Sequence, residues 1–323
     1  MKVLITGGAG YVGSVLTQTL LAAGHQVRVF DKLMHGGEPL LSVWSHDQFS
    51  FVKGDVADRA CTREALRGID AVVHLAAIVG DPACAKQPEL AVAINQEASL
   101  ALLEDCRDAG VSRFVFASTC SNYGKMADPD KYVDETAELS PVSLYARTKV
   151  NVELAVLDPE KTSSLCGIAL RLATVFGVSP RMRFDLTVNE FTLELATKKR
   201  LVVFGEQFWR PYVHVRDVAR AVAAVLQAPD AKVRNQVFNV GSTGQNYTKQ
   251  QLVEMVLKHT PDAKIEYVRK QEDPRDYRVS FARIEEVLGW RATRTVEDGI
   301  LEVVNLVREG VVGDFDQPKY RNV

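Results

Sequence analysis

The chain has 323 residues, 46% of them hydrophobic and 25% charged, with 39 Lys and Arg against 41 Asp and Glu for a formal net charge of −2. That length exceeds one small core and predicts about two domains, while the composition excludes disordered and fibrous chains. The near-balance of charge gives no electrostatic reason to expect nucleic acid or an anionic membrane as partner.

The chain enters directly on Val3-Leu4-Ile5, a predicted strand. Val12, Val15, Leu16, Thr19, Leu20 and Ala23 then fall on one face of a helix that Gly24 closes. Val27-Arg28-Val29-Phe30 predicts the next strand. Further strands are expected at 51–52, 71–73, 114–116 and 168–170, with helices near 58–67, 89–109 and 143–157. Such alternation requires crossover connections, and so a parallel sheet with helices on both faces. The fold class expected is α/β, a doubly wound parallel sheet. No apolar stretch reaches the roughly 18 residues of a membrane span, and the first residues lack a signal-peptide layout. The five cysteines, Cys61, Cys84, Cys106, Cys120 and Cys166, show neither CxxC nor metal-ligand spacing. They read as reduced thiols, so a cytoplasmic protein without a metal site is expected.

Beyond Gly177 the alternation loosens. Helices are expected near 185–198, 217–227, 248–259, 280–288 and 295–308, with a strand at 237–240. Lys198-Lys199-Arg200 offsets the carbonyls ending the first of these. Thr295 and Asp298 predict a capping box, and Ser280 a cap for the helix before it. The organisation expected is a cofactor domain over 1–176, to which part of 210–242 returns, and a smaller C-terminal α/β substrate domain over 177–323.

Gly7-Gly8-Ala9-Gly10-Tyr11-Val12-Gly13 joins the first strand to the first helix, the setting of a Rossmann-type dinucleotide fingerprint. Gly7, Gly10 and Gly13 let backbone approach a pyrophosphate, while Tyr11 and Val12 begin the helix whose N–H groups and dipole meet it. Asp31, ending the second strand, stands where an acid binds ribose hydroxyls and repels a 2′-phosphate, which selects NAD over NADP. Asp55 and Val56 follow the third strand toward the adenine edge; a simple exposed turn explains Asp55 as well. Leu75, Ala76 and Ala77 end the fourth strand with small side chains against the dinucleotide, and His74 is expected to be structural.

Tyr145 and Lys149 lie four residues apart at the head of a helix, on one face. A phenol with a pKa of about 10 needs help to act as a base at neutral pH, and a neighbouring ammonium with an oxidised nicotinamide supplies it. Thr119, ending the fifth strand, is placed to bind the same substrate oxygen.

Together Thr6 to Gly13, His74-Leu75-Ala76-Ala77, Tyr145-x-x-x-Lys149 and Arg210-Pro211-Tyr212-Val213-His214-Val215-Arg216-Asp217 resemble the extended short-chain dehydrogenase/reductase family, in its nucleotide-sugar epimerase and dehydratase branch. The resemblance covers almost the whole chain. It implies that Tyr145 and Lys149 also contact NAD, and that Asn95 lies near the nicotinamide. It further implies that Arg210, with Arg275 or Arg278, grips sugar-nucleotide phosphates, that Asp217 opens the following helix, and that the protein is a homodimer. In that homodimer the helices near 89–109 and 143–157 pair with their copies, Ala91, Ile94, Ala98 and Ala101 being candidate contacts. Two positions depart from the pattern. Cys120-Ser121 replace the Asp-Glu of 4,6-dehydratases, and Thr174 replaces an asparagine that contacts the nucleotide. The expectation is an NAD-dependent nucleotide-sugar epimerase, C4 the favoured centre. A non-standard dehydratase or 3,5-epimerase/reductase with Cys120 as acid or base is the enzymatic alternative, and a non-catalytic dinucleotide sensor the alternative class.

Overall fold

The computed structural model describes residues 1–126, 128, 131–270, 273 and 275–322. The six strands expected in the first half form as β1 (Lys2–Thr6), β2 (Gln26–Asp31), β3 (Phe49–Lys53), β4 (Ala71–His74), β5 (Arg113–Thr119) and β6 (Cys166–Leu172). β1, β4 and β6 are buried along nearly their whole length, as strands covered by helices on both faces must be. They make one parallel sheet of seven in the order β3-β2-β1-β4-β5-β6, followed by the strand Gln236–Val240. The order turns back between β1 and β4, so a crevice opens beyond their C-terminal ends. Thr6 and His74 are partners in that register.

Helix α1 (Tyr11–Ala22) follows β1, and the N–H of Gly24, at φ +80°, turns back to the Leu21 carbonyl. It is buried around more of its circumference than a one-face pattern predicts, with Tyr11, Gly13, Ser14, Thr17 and Leu21 joining Val15, Leu16 and Leu20. The helix Val215–Gln227 packs along it, which explains the second buried side; Ala23, expected on the buried face, is exposed. After α2 (Arg59–Ala65) comes a short α3 (Asp81–Lys86) without a periodicity signal. The helix expected over 89–109 is α4 (Pro88–Val92) and α5 (Ser99–Asp108), joined by a π turn at Ala93–Ala98. Helix α6 (Leu144–Leu157) is capped by Ser143, whose hydroxyl accepts the Ala146 N–H.

In the second half the expected helices form at Thr187–Thr197, Val215–Gln227, Lys249–Leu257, Ala282–Leu288 and Val296–Arg308. Thr295 and Asp298 make the capping box. Phe281 rather than Ser280 directly precedes its helix, and the Ser280 hydroxyl accepts the N–H of the first helical residue, Ala282, at 3.5 Å. Five further strands carry no clear sequence signal: β7 (Thr174–Phe176), β8 (Arg200–Phe204), β9 (Trp209–His214), then, beyond β10 (Gln236–Val240), β11 (Asn246–Thr248) and β12 (Lys264–Val268). They pair as a three-stranded sheet, β11-β9-β7, and a two-stranded one, β12-β8. β7 and β11 are only three residues long, too short for alternation to stand out. All five cysteines are free. No helix among the described residues is long and apolar enough to cross a membrane.

Candidate active site

A cleft of about 520 Å3 opens at the turn-back of the sheet and runs from Asp31 past the glycine loop to Tyr145 and Arg275. Its floor is the β1–α1 loop. Gly7 has φ +75°, and a Cβ on it would stand 2.8 Å from the Ala76 nitrogen; a Cβ on Gly13 would collide with the Gly7 carbonyl. Only glycine lets these two crossings pack this closely. Gly10 precedes α1 without a side-chain cap, and the first turn carries no acid. The N–H groups of Tyr11, Val12 and Gly13 are therefore left to the cleft that these residues line.

Asp31 lines the same wall, its carboxylate held by the N–H groups of Ala9 at 3.0 Å and Leu33 at 2.7 Å. Two N–H bonds use half of its acceptor capacity, leaving oxygen lone pairs for a diol. Asp55 also lines the cleft, but Lys32 pairs with it at 2.6 Å, and this pair, with the Ala57 N–H, keeps its carboxyl below the usual range despite desolvation. Val56, Leu75, Ala76 and Ala77 complete the lining on this side. The open glycine crossing, the uncapped helix start and the diol-ready acid fit a dinucleotide of the NAD type.

His74 is structural: its ring bonds Thr6 Oγ1 at 2.6 Å and Ser99 Oγ at 2.8 Å, and burial lowers its pKa to about 3. Asn95 is fully buried just behind the cleft wall, next to the lining residue Ile94. Its amide clamps one residue of that wall, accepting the Ile78 N–H at 2.7 Å and donating to the Ile78 carbonyl at 2.9 Å. The π turn at Ala93–Ala98 is where Asn95 sits, an irregularity that recurs where a helix serves a site.

At the far end, Thr119, Tyr145 and Lys149 all line the cleft. Thr119 Oγ1 accepts the Ser121 N–H at 3.1 Å, so its own proton remains to be donated. Lys149 Nζ donates to the Ala117 carbonyl at 2.9 Å and lies 5.9 Å from the centre of the Tyr145 ring. Burial lowers the Lys149 pKa to about 8 and raises that of Tyr145. At neutral pH Lys149 thus stays mostly an ammonium and Tyr145 a neutral phenol, and added positive charge in the cleft favours the phenolate.

Cys120, expected as an acid or base, lies outside the cleft. It is 1% exposed, its thiol donates to the Arg171 carbonyl at 3.2 Å, and burial raises its pKa well above the ordinary thiol value. β5 ends at Thr119, and Cys120 begins a 3-10 turn that places its side chain in the core. Ser121 does reach the cleft, 3.3 Å from the Tyr277 hydroxyl.

The arginines divide. Arg275 lines the cleft, paired with Asp81 at 2.8 Å. Arg210 is buried behind the lining, 2.7 Å from Asp273, with its guanidinium 5.5 Å from the Tyr277 ring. Arg278 lies between Tyr132 and Trp209 and not on the lining. Of the three arginines expected to grip phosphates, Arg275 lines the cleft. Thr174, at the start of β7, lines the cleft. His214 and Asp217 brace the wall from behind: His214 contacts Glu302 at 2.9 Å, and Asp217, within the first turn of its helix, accepts the N–H groups of Thr293 and Arg294. Sequence reasoning missed Tyr277, Asp81, His35, Arg181 and Arg183, which also line the cleft. Tyr277 lies between Arg275 and Arg278 in a segment singled out for its arginines, and Arg181 and Arg183 follow β7 with no periodicity to mark them.

Residues 3–241 match the model of the NAD dependent epimerase/dehydratase family. The chain is 30% identical to a UDP-glucose 4-epimerase of Corynebacterium glutamicum, over 91% of its own length and 92% of that protein. It is also 30% identical to a dTDP-glucose 4,6-dehydratase of Streptomyces niveus, over 96% and 93%. Among solved structures, the Thermus thermophilus UDP-glucose 4-epimerase in complex with NAD superposes with a TM-score of 0.83 at 28% identity, covering 97% of this chain and all of that one.

Proposed function

Since the chain belongs to the NAD-dependent epimerase/dehydratase family and takes NAD as its cofactor, we propose that it is a nucleotide-sugar epimerase that inverts C4 through a transient ketone. One observation carries the choice of epimerisation over dehydration. Thr119, Tyr145 and Lys149 share the cleft, while the positions after Thr119 offer a buried thiol and a serine hydroxyl. Eliminating water needs an acid for the departing hydroxyl and a base for the neighbouring carbon. Among the described residues, the acidic side chains lining the cleft are committed elsewhere: Asp81 is paired with Arg275, Asp185 with Arg183 and Asp55 with Lys32, and Asp31 stands at the opposite end from Tyr145.

In this reading Tyr145 takes the proton of the sugar hydroxyl, and Thr119 donates its hydrogen bond to the same oxygen. Lys149, fixed by Ala117, keeps an ammonium near the phenol. Bound NAD supplies the hydride acceptor and, oxidised, a positive charge that favours phenolate. Arg275 keeps its pair with Asp81 and offers its remaining N–H groups to a substrate phosphate, a natural partner for guanidinium, and Thr174 faces the nucleotide. Residues 1–176 with the returning part of 210–242 serve the cofactor, and the remainder serves mainly the substrate.

Incubation with NAD and a panel of UDP-, dTDP-, GDP- and CDP-sugars, followed by mass spectrometry in deuterated water, tests the reaction. A product of unchanged mass without deuterium is expected. Loss of water would give the dehydratase reading instead, and deuterium uptake a carbanion route such as 3,5-epimerisation.

The same reading includes a homodimer formed through the helices near 89–109 and 143–157. Ala91 and Ala98, expected at that interface, are buried within the chain, whereas Leu154 on α6 is 59% exposed. Sedimentation at micromolar concentration should give twice the 35.7 kDa chain mass; a monomer there removes the dimer.

A further inference from the structure

Arg181 is a buried cation whose nearby acids, among the described residues, are engaged elsewhere. It is 4% exposed and lines the cleft. Its Nη2 donates to the Arg321 carbonyl at 3.1 Å, and its Nε has no hydrogen-bond partner among the described residues. Asp185 is taken by Arg183 through two bonds, at 2.9 and 2.8 Å, and by the Asn322 N–H at 3.0 Å. Asp31, the other acid in range, is held by its two N–H groups. Burial and the neighbouring Arg183 lower the Arg181 pKa to about 10, and the same surroundings bring His35 on that wall to about 4. A guanidinium kept from water without full compensation is expensive, and an anion entering the cleft relieves that cost.

The location identifies the anion. The segment after β7 lies on the start of α1, where Ser179 Oγ donates to the Tyr11 carbonyl at 2.7 Å and the Tyr11 hydroxyl donates to the Gly177 carbonyl at 2.6 Å. Arg181 is two residues beyond Ser179, beside Asp31, and so belongs to the part of the cleft that the uncapped first turn of α1 prepares for a pyrophosphate. The C-terminal residues hold it there. Besides the bonds to Arg321 and Asn322, the Phe184 N–H donates to the Tyr320 carbonyl at 2.9 Å, and the two rings pack edge to face at 5.6 Å.

We propose that Arg181, fastened by Tyr320–Asn322, binds the pyrophosphate of the dinucleotide together with the first turn of α1, and so governs retention of the cofactor between turnovers. The proposal rests on NAD as the cofactor and is independent of the sugar chemistry. The test uses full-length protein stripped of nucleotide, wild type and Arg181→Gln, titrated calorimetrically with NAD, NADP, ADP and adenosine, with no sugar nucleotide present. Losing a charge-assisted contact should weaken NAD and ADP by roughly 10–100-fold and leave adenosine unchanged. The ligand-free variant should melt no lower than wild type, because an undercompensated buried charge has been removed. Unchanged NAD affinity, an equal loss for adenosine, a loss confined to NADP, or a lower ligand-free melting temperature each overturns the proposal. A wild-type protein that binds no dinucleotide overturns the cofactor assignment and this proposal with it, whereas failure on every sugar nucleotide leaves this result standing.

Discussion

Replacing Tyr145 with phenylalanine is expected to slow turnover by about 10²–10⁴-fold or more while cofactor binding persists. The substitution removes one hydroxyl from a residue that lines the cleft, and leaves the ring that packs at the head of α6. Thr119 retains its proton to polarise the sugar oxygen and Lys149 retains its anchor on Ala117, but neither stands in for the phenol as base. Lys149, brought to about 8 by burial, is the nearest competitor. Single-turnover absorbance of reduced nicotinamide measures the proton-coupled step directly. Activity within a factor of ten of wild type would mean that Lys149 or another group takes the proton and that Tyr145 has been given the wrong role.

The second large effect is on stability. Glu153 is fully buried one turn beyond Lys149 on α6, and its carboxylate serves four donors: Arg171 Nη2 at 2.6 Å and Nε at 3.1 Å, Ser118 Oγ at 2.5 Å and Asn122 Nδ2 at 3.3 Å. Glu153→Ala leaves the buried Arg171 with the Tyr123 hydroxyl as its remaining side-chain partner among the described residues. Breaking a buried ion pair from one side costs about 3–5 kcal/mol, so a large fall in the urea midpoint is expected. Exchanging both Glu153 and Arg171 for methionine should recover much of that loss, since no charge is then stranded. Because Ser118 adjoins Thr119 and α6 carries Tyr145 and Lys149, the single variant should also lose activity at temperatures where it remains folded. A loss below about 1 kcal/mol would contradict the picture of a dry, fully used pair.

The sequence alone determined the parallel sheet, the glycine crossing and the Tyr145–Lys149 face. Each rests on local physics: β-branched runs, a backbone conformation open only to glycine, and four-residue spacing on a helix. Asp31 and Thr119 were legible for the same reason, because both end strands whose C-terminal edges form the crevice. What lay beyond reach depends on contacts between distant segments. Cys120 and Thr119 are neighbours in sequence, yet the 3-10 turn that follows β5 sends one into the core while the other lines the cleft. Asn95 reads as a helix residue until the π turn brings its amide to Ile78. The arginines show this most clearly. Arg210 and Arg278 stand in motifs that suggest phosphate binding; in the fold Asp273 pairs with the first and two aromatic rings flank the second. Arg181 carries no motif, and only the contacts of the segment after β7 with α1 and with the C-terminal residues place it on the cleft wall. A charge acquires its role from what compensates it, and compensation is a property of tertiary packing, which no window of sequence contains.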